Sequence, residues 1–200
     1  VSLAPYGLIS RTGTPDILGF YILHEGLIGV FDEVLKEVDY SDLRDEGVQR
    51  QATTGGWLGI TDKYWLAALI PDQQSKLETS FNAGRRGNLD LYQADYLAPP
   101  IIAKPGGVME TTNRLFAGAK EVTILDQYET DHNIARFDLA VDFGWFYWLT
   151  KPIFYMLVWL NERLGNFGLS ILALTVMIKL VFFPLANKSY KSMSQMKALQ

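Results

Sequence analysis

The feature that most constrains this chain is an apolar run near its end, from Phe167 to Leu185, which contains one charged residue, Lys179. The run has nineteen residues. In a helix with a rise of about 1.5 Å per residue it covers roughly 28 Å, close to the thickness of the hydrocarbon core of a bilayer. The run therefore predicts a transmembrane helix over residues 167–185.

Lys179 lies inside this predicted span, about 9 Å from the end at Leu185. An ionisable side chain at such a depth is costly, and it typically marks a functional site. The alternative is that the lysine stem extends along the helix and carries its ammonium group to the nearer interface. The sequence pattern alone leaves both interpretations open.

Charged residues are distributed unequally on the two sides of the span. Residues 1–150 contain 12 Lys and Arg against 21 Asp and Glu, whereas residues 151–200 contain six basic residues and one acidic residue. The segment after the span carries Lys188, Lys191 and Lys197 and no acidic residue. The positive-inside rule therefore predicts that residues 186–200 are cytoplasmic and that residues 1–166 lie on the other side of the membrane.

The composition excludes several classes of function. The chain has no cysteine, which excludes disulfides and thiolate metal sites, and its two histidines argue against a histidine metal site. An acidic outer domain is a poor partner for nucleic acid, so we expect no DNA binding, and we expect no cofactor or metal. A domain outside the membrane requires a preceding export signal, so we expect the chain to be part of a longer protein.

The first 110 residues have the pattern of β-strands separated by Gly and Pro turns. Apolar and aromatic runs such as WLGIT (57–61) and YWLAALIP (64–71) recur at the spacing of a β-sandwich. The same pattern predicts strands in VSLAPYGLIS (1–10), GFYILHEGLIGVF (19–31), KLETSFNAG (76–84), LDLYQADYLAP (89–99) and PGGVMETTNRLFAGA (105–119). The charged residues 32–47 indicate either a loop or a short surface helix, and the spacing of Val122, Leu125 and Tyr128 predicts a short helix.

The character of the chain changes at Phe137. The following segment carries Trp145, Trp148 and Trp159, and apolar residues from Ile153 to Leu164 recur at helical spacing. This pattern predicts an amphipathic helix that lies in the membrane interface, with the tryptophans as its anchors.

Two proline residues and one pair of residues indicate where the helices begin and end. We expect Pro152 in the first turn of the interfacial helix, where its missing N–H costs little. The alternative, a second spanning helix over 143–160, is disfavoured by Lys151 and Pro152 in its middle. Gly165-Asn166, with Gly168 after it, indicates a turn into the span, and Pro184 is expected to end or kink the span.

Both halves of the chain resemble one known family. AVDFGWFYWLTKPIF (140–154) and GNFGLSILALTVMIKLVFFPLANKSYKSMSQMKALQ (165–200) resemble the YidC-type (YidC/Oxa/Alb) membrane protein insertases of Gram-negative bacteria. GGWLGITDKYWLAALIP (55–71) and LFAGAKEVTILDQYE (115–129) are similar to the large periplasmic domain of that family. The resemblance covers essentially the whole chain.

The resemblance implies a mixed fold, in which part of a mainly-β periplasmic supersandwich precedes an interfacial amphipathic helix and one transmembrane helix. The implied boundaries are 1–136 for the periplasmic domain, 137–166 for the linker and interfacial helix, 167–185 for the span, and 186–200 for the start of a cytoplasmic helical hairpin. The implied function is that of an inner-membrane insertase and chaperone, multi-pass in the full protein, that helps nascent membrane proteins insert and fold. The implied partners are nascent membrane proteins, the lipid bilayer, the Sec translocon and the ribosome.

In this family a basic residue of the first core helix faces a hydrated groove, and Lys179 matches that position. Many members have arginine there, and lysine loses its proton more readily when it is desolvated, so a charge role requires a wet groove. Thr175, Phe182 and Phe183 lie within about one turn and are candidates to line the groove. The alternatives are a threonine hydroxyl satisfied by its own backbone and phenylalanines that face lipid or pack in a core. Lys188, Lys191 and Lys197 are expected to contact lipid headgroups or the ribosome.

Two other classes of function remain as rivals. A sugar-processing enzyme needs an acid and a base that face one substrate, and His24-Glu25 is the adjacent His and carboxylate pair. Neighbours in a strand point to opposite faces, so we expect no enzymatic activity. The alternative function is a membrane-anchored periplasmic binding module that recruits translocon or chaperone partners.

Overall fold

The computed structural model describes residues 2–15 and 23–197, with the side chains of Leu185 and of residues 189–197 outside the description. The chain forms two compact units, Val1–Asp142 and Phe143–Gln200. The strands in chain order are β1 (Ser2–Leu3), β2 (Tyr6–Thr12), β3 (Gly26–Phe31), β4 (Val34–Asp39), β5 (Gln49–Thr54), β6 (Trp57–Thr61), β7 (Trp65–Ile70), β8 (Lys76–Arg86), β9 (Leu89–Leu97), β10 (Ile101–Ile102) and β11 (Arg114–Ala119). The helices are α1 (Tyr40–Glu46), α2 (Val122–His132), a 3-10 helix (Phe137–Ala140), α3 (Tyr147–Leu164) and α4 (Phe167–Lys197).

The first unit is built on two large antiparallel sheets, and β1 and β10 form a third, two-stranded antiparallel sheet. The five-stranded sheet has the order β11-β7-β6-β3-β4, and the four-stranded sheet has the order β2-β9-β8-β5. Between them lies one core cluster, to which Leu27 and Leu58 contribute from one sheet and Phe81 and Tyr92 from the other. The predicted mixed fold, with antiparallel sheets followed by helices, is confirmed.

A third layer covers the other face of the five-stranded sheet. Ile28 and Trp57 on that face pack with Leu125 of α2 and Phe137 of the 3-10 helix in a second buried cluster. Every residue of β3 and of β6 is consequently buried. This explains why GLIGVF and WLGIT are continuously apolar, since strands covered on both faces do not need the alternation of a half-exposed strand.

Most of the predicted strands are confirmed, and two segments differ from the prediction. Residues 32–47 form β4 and then α1, because Val38 is buried between the sheets and α1 buries Tyr40 and Leu43. Residues 105–119 form a strand only from Arg114, because the chain turns at Lys104–Gly107 through a 2.9 Å hydrogen bond between the ends of the turn. Part of the predicted strand over 19–31 lies at residues 19–22, outside the described residues.

In the second unit α3 begins at Tyr147 and not near Pro152, which therefore lies inside the helix. The helix starts earlier than expected because the carbonyl of Phe146 already accepts hydrogen bonds from the N–H groups of Leu149 and Thr150, both at 2.8 Å. Pro152 removes one backbone hydrogen bond, while the rest of the helix keeps its ladder. The predicted position of Pro152 in the first turn is wrong.

The predicted turn between α3 and α4 is confirmed at Gly165-Asn166. Gly165 ends α3 in the left-handed region, with φ of 64°, and its N–H donates to the carbonyl of Asn161 at 2.8 Å. Asn166 caps α4, because its Oδ1 accepts the N–H of Leu169 at 3.1 Å. Gly168 lies within the first turn of α4.

In the described part of the chain one helix, α4, is long and apolar enough to cross a membrane, from Phe167 to Pro184. Pro184 is the last residue of this apolar window, as expected for the end of the span, but it does not end the helix, because α4 continues to Lys197. A proline costs a helix one hydrogen bond and a local clash, and the turns on either side retain their own bonds. α3 has 18 residues but contains three charged residues, Lys151, Glu162 and Arg163, so it is not apolar enough to count as a candidate membrane span.

Candidate functional site

The apolar helix α4 has one face that packs and one that does not. Ser170 and Leu174 are buried, and Ala173, Met177 and Ile178 are half-buried at the same helical spacing. α3 contacts α4, and Leu160 of α3 is buried. The face of α4 that contains Ser170 and Leu174 therefore packs against α3.

Lys179 lies on the opposite face of α4. It follows Ser170 by about two and a half turns, which places the two residues on opposite sides of the helix. Thr175, Phe182 and Phe183 lie within about 60° of Lys179 around the axis. All four side chains are exposed. The structure therefore brings the predicted site residues of the span onto one side of α4, away from α3.

Lys179 carries its charge without compensation from the described part of the chain. None of the described residues forms a hydrogen bond or ion pair with its ammonium group. A structural ion pair with a neighbouring carboxylate would have explained the lysine without any role in function. The choice between a groove charge and a side chain that extends to the interface stays a prediction.

Thr175 is satisfied by its own helix. Its hydroxyl donates to the carbonyl oxygen of Ile171 at 2.8 Å, as the hydroxyl of Ser170 does to the carbonyl of Asn166 at the same distance. This arrangement agrees with the interpretation in which the hydroxyl of Thr175 is satisfied by the backbone of its own helix. A groove-lining role for Thr175, Phe182 and Phe183 stays a prediction.

The three tryptophans expected to anchor the second unit are exposed. Trp145 precedes α3 and is 99% exposed, while Trp148 and Trp159 are 71% and 49% exposed on α3 itself. Trp148, Tyr155 and Trp159 form one row on α3, on the side opposite the apolar residue Leu157. The guanidinium of Arg163 lies 5.2 Å from the ring centre of Trp159. An exposed aromatic row with a neighbouring cation is typical of an interfacial helix, and the interfacial position stays a prediction.

Lys188 is exposed on the part of α4 that follows the span. Lys191 and Lys197 lie in the same helix, but their side chains are outside the described residues. Contacts of these lysines with headgroups or the ribosome stay predictions.

Comparisons with known proteins cover the whole chain. A family model described as the YidC periplasmic domain matches residues 1–156, and one described as 60Kd inner membrane protein matches residues 159–200. The chain belongs to the YidC family.

The curated relatives are named membrane protein insertase YidC. The relative from Rickettsia bellii is 50% identical over 196 residues, which are 98% of this chain and 35% of the relative. The relative from Bradyrhizobium diazoefficiens is 47% identical over 209 residues, which cover 100% of this chain and 34% of the relative. This YidC-family chain thus spans about a third of the length of the curated relatives it matches.

Sequence reasoning missed a group of ionisable residues at one end of the five-stranded sheet. Burial raises the pKa of Glu37, with Asp142 and Asp39 acting in the same direction and His24 and Lys120 opposing them. Burial lowers the pKa of Lys120, against the pull of Asp142 and other nearby carboxylates. These residues come from distant segments that the antiparallel register brings together, as in the pairing of Gly26 with both Asp39 and Thr61. No local pattern in the sequence signals such a group.

The two members of the pair His24-Glu25 serve different partners. Both residues lie in the segment before β3. The expectation that they are neighbours within a strand is therefore wrong. His24 faces Asp39, whereas Oε1 of Glu25 accepts the N–H of Lys63 at 3.0 Å. The pair therefore does not offer an acid and a base to one substrate.

The first unit also contains a cleft and a group of three carboxylates. A cleft of about 530 Å³ on the four-stranded sheet is lined by Leu97, Pro99 and charged residues such as Glu78, and neither histidine lines it. Carboxylate oxygens of Asp126, Glu129 and Asp138 lie within 4.8 Å of one another. The N–H of Asp138 donates to Oε2 of Glu129 at 2.8 Å, so the backbone of this group engages one of its own carboxylates.

Proposed function

We propose that this chain is part of a membrane protein insertase and that Lys179 supplies a positive charge to a hydrated groove. The proposed activity inserts nascent membrane proteins and makes or breaks no covalent bond. The observation that carries the proposal is an exposed lysine, without a partner among the described residues, inside a helix that is apolar enough to span a membrane.

The proposed groove lowers the cost of moving polar chain across lipid. Placing a charged residue at the centre of a bilayer costs about 2.5–3.5 kcal/mol on insertion scales. A hydrated groove that reaches partway across shortens the apolar slab, and a positive charge inside it attracts acidic residues of the passing segment. The apolar helix of the substrate then partitions into lipid and leaves the groove.

The position of Lys179 along α4 supports a groove that is open towards the basic side. Lys179 lies about 18 Å from Phe167 but only about 9 Å from Leu185. Its face points away from α3, and in this proposal the rest of the groove comes from segments of the kind that the relatives have outside the third of their length matched here. In this proposal Thr175, Phe182 and Phe183 line the groove beside the charge.

The proposal includes an orientation in the inner membrane and the partners that this orientation requires. Residues 1–166 lie on the periplasmic side and residues 186–200 in the cytoplasm, where Lys188, Lys191 and Lys197 meet anionic headgroups or the ribosome. The exposed row of Trp148 and Trp159 lies in the outer interface. Nascent membrane proteins and the bilayer are the proposed partners, with the Sec translocon as a further one.

The test compares three variants of the full-length insertase in proteoliposomes. The variants are Lys179→Arg, Lys179→Ala and, as a matched control that removes one exposed lysine outside the span with no proposed role, Lys104→Ala. The substrates are a single-span protein with an acidic translocated tail and the same protein with a neutral tail. We expect Lys179→Ala to impair insertion of the acidic tail about tenfold, which corresponds to roughly 1.4 kcal/mol, and to leave the neutral tail nearly unaffected.

Two outcomes would contradict the proposal. One is full insertion of the acidic tail by Lys179→Ala, and the other is a loss that Lys179→Arg does not repair. Deletion of residues 1–130 from the full-length protein separates the insertase from the binding-module alternative. Retained insertion after that deletion assigns the activity to the membrane part, whereas its loss favours recruitment of partners by the outer domain.

A further inference from the structure

β5 is an edge strand of the four-stranded sheet, and it pairs on one side only, with β8. The N–H of Gly55 donates towards β8, to the carbonyl of Ser75 at 2.9 Å. The N–H of Thr54 donates to the other side, to Oδ1 of Asp32 at 3.0 Å. Backbone groups alternate between the two sides of an antiparallel strand, so the N–H and C=O of Ala52 also point away from β8. In the part of the chain that the structure describes, neither group of Ala52 has a hydrogen-bond partner.

The cleft of about 530 Å³ lies beside this edge, on the outer face of the sheet. Ala52 is paired with Glu78 of β8, and Glu78 is paired with Leu97 of β9, so the three side chains form one row across the sheet. The row faces away from the core, because the preceding residues of β8 and β9, Leu77 and Tyr96, belong to the buried cluster between the sheets. A strand added beside β5 would therefore place the side chain opposite Ala52 at the open end of this row.

The tip of the hairpin between β3 and β4 closes one end of the edge. Asp32 and Glu33 form its two-residue turn, with φ of 47° and 66°. The N–H of Asp32 donates to Oγ1 of Thr53 at 2.9 Å, and its carboxylate accepts the N–H of Thr54. The outward N–H of Thr54 is thus already satisfied, so an added strand can pair only with the residues of β5 that precede Thr54.

We propose that the free edge of β5 and the adjoining cleft bind an extended polypeptide segment, which adds a strand to the four-stranded sheet. Strand addition satisfies the N–H and C=O of Ala52, and the side chain opposite Ala52 enters the cleft. Leu97 and Pro99 give the cleft an apolar part, and Lys76 and Glu78 beside it form no ion pair with the described residues.

The chemistry of the site selects its occupant. The apolar part of the cleft favours a large apolar side chain opposite Ala52. Residues 1–150 carry 21 acidic against 12 basic residues, so the surrounding domain disfavours an acidic segment. The site rests on groups of the first unit alone, and it stands or falls separately from the insertase proposal.

The test measures the binding of labelled peptides to the full-length protein in detergent micelles by fluorescence anisotropy. The peptides have about nine residues that alternate between Ser and Thr, with a central Leu in one and a central Asp in the other. We expect the Leu peptide to bind at least about fivefold more tightly. Methylation of the N–H groups of one set of alternate residues should weaken binding at least about fivefold, and methylation of the other set should change it by less than about twofold, because only one side of an added strand faces β5.

A pair of proline variants tests the position of the site. Ala52→Pro removes the outward N–H of Ala52 and leaves the bonds to β8 in place, as edge strands allow. The matched control is Ala117→Pro on β11, an edge strand of the five-stranded sheet. The N–H of Lys120 donates towards β7, to the carbonyl of Tyr64 at 2.9 Å, so that of Ala117 points away from β7. We expect at least about fivefold weaker binding of the Leu peptide by Ala52→Pro and a change of less than about twofold by Ala117→Pro.

Three results would overturn the proposal. The first is equal binding of the Leu peptide by Ala52→Pro and Ala117→Pro. The second is an equal effect of the two methylation patterns, which would indicate contact through side chains alone. The third is the absence of binding to the full-length protein, which would mean that another segment of the protein covers this edge. If Ala52→Pro does not fold, the two methylated peptides carry the test with the unmodified protein.

Discussion

Phe137 is the residue through which the 3-10 helix joins the core of the first unit. Its side chain is 0% exposed, and its ring meets Trp57 at 5.3 Å and Phe116 at 5.5 Å, both edge to face. The sequence alone places Phe137 at the start of a linker, where truncation of its side chain would have little effect. The substitution Phe137→Ala therefore tests whether this segment belongs to the packed sheets.

The expected cost of Phe137→Ala follows from these contacts. Removal of a buried phenylalanine costs about 3–5 kcal/mol, of which each aromatic pair contributes about 0.5–1.5 kcal/mol. For a unit of this size the melting temperature should fall by about 10 °C or more. Thermal unfolding of the chain in detergent, followed by tryptophan fluorescence and near-ultraviolet circular dichroism, measures the change. Phe146→Ala removes an exposed phenylalanine of the second unit and is the matched control.

A result for Phe137→Ala within about 0.5 kcal/mol of the Phe146→Ala control would refute this reasoning, because that is the range of ordinary surface substitutions. It would mean that the contacts of Phe137 with Trp57 and Phe116 do not persist in solution. A large cost with an unchanged near-ultraviolet spectrum at low temperature would support the packing, since it shows that the folded state forms and is merely less stable.

Further predictions concern backbone strain, pH and helix capping. Gly56→Ala should lower the free energy of unfolding by more than about 2 kcal/mol, because φ is 84° and a Cβ would lie 2.0 Å from the carbonyl oxygen of Val30. Gly87→Ala, where φ is 65° and the surrounding space is open, should lower it by about 1 kcal/mol. Unfolding in urea measures both changes. Burial raises the pKa of Tyr40 to about 12, so its ionisation opposes folding. The folded state then loses stability as the pH rises from about 10 to 12, and Tyr40→Phe should remove up to about 2–3 kcal/mol of this loss in unfolding measured against pH. Asn166→Ala should cost about 1 kcal/mol and speed amide exchange in the first turn of α4, while Asn166→Ser should not.

The helices α3 and α4 were predictable because the signals that define them lie in residues that are close together in the sequence. Length and apolar composition suffice to identify a span, and the pair Gly165-Asn166 carries the conformational and capping signals of a helix boundary in adjacent residues. The position of Pro152 was misjudged, and Pro184 ends the apolar span but not the helix. A proline lowers the probability of a helix locally, but the turns around Pro152 and Pro184 make enough backbone hydrogen bonds to keep the helix.

The positions of the strands were predictable from sequence, but the way in which the sheets and helices stack on one another was not. The runs GLIGVF and WLGIT identify β3 and β6, yet nothing in them says which partner covers which face. The segment 32–47 looks like surface because Lys36 and Glu37 interrupt its apolar residues. Val38 nevertheless reaches the core, since pairing with β3 fixes its orientation. Register decides such cases, and register depends on contacts between residues far apart in the sequence.

The same argument explains why the surroundings of Lys179 can be inferred from sequence and those of His24 cannot. Lys179 stands out because its neighbours along the chain are all apolar, so the contrast is visible in a single window of sequence. The contact of His24 with Asp39 becomes visible only when β4 places Asp39 beside the segment that enters β3. Glu25, adjacent in sequence, is the obvious partner of His24 but bonds to Lys63. A lone charge in an apolar helix can therefore be inferred from sequence, whereas the contact of a histidine with a carboxylate on another strand requires the folded sheet.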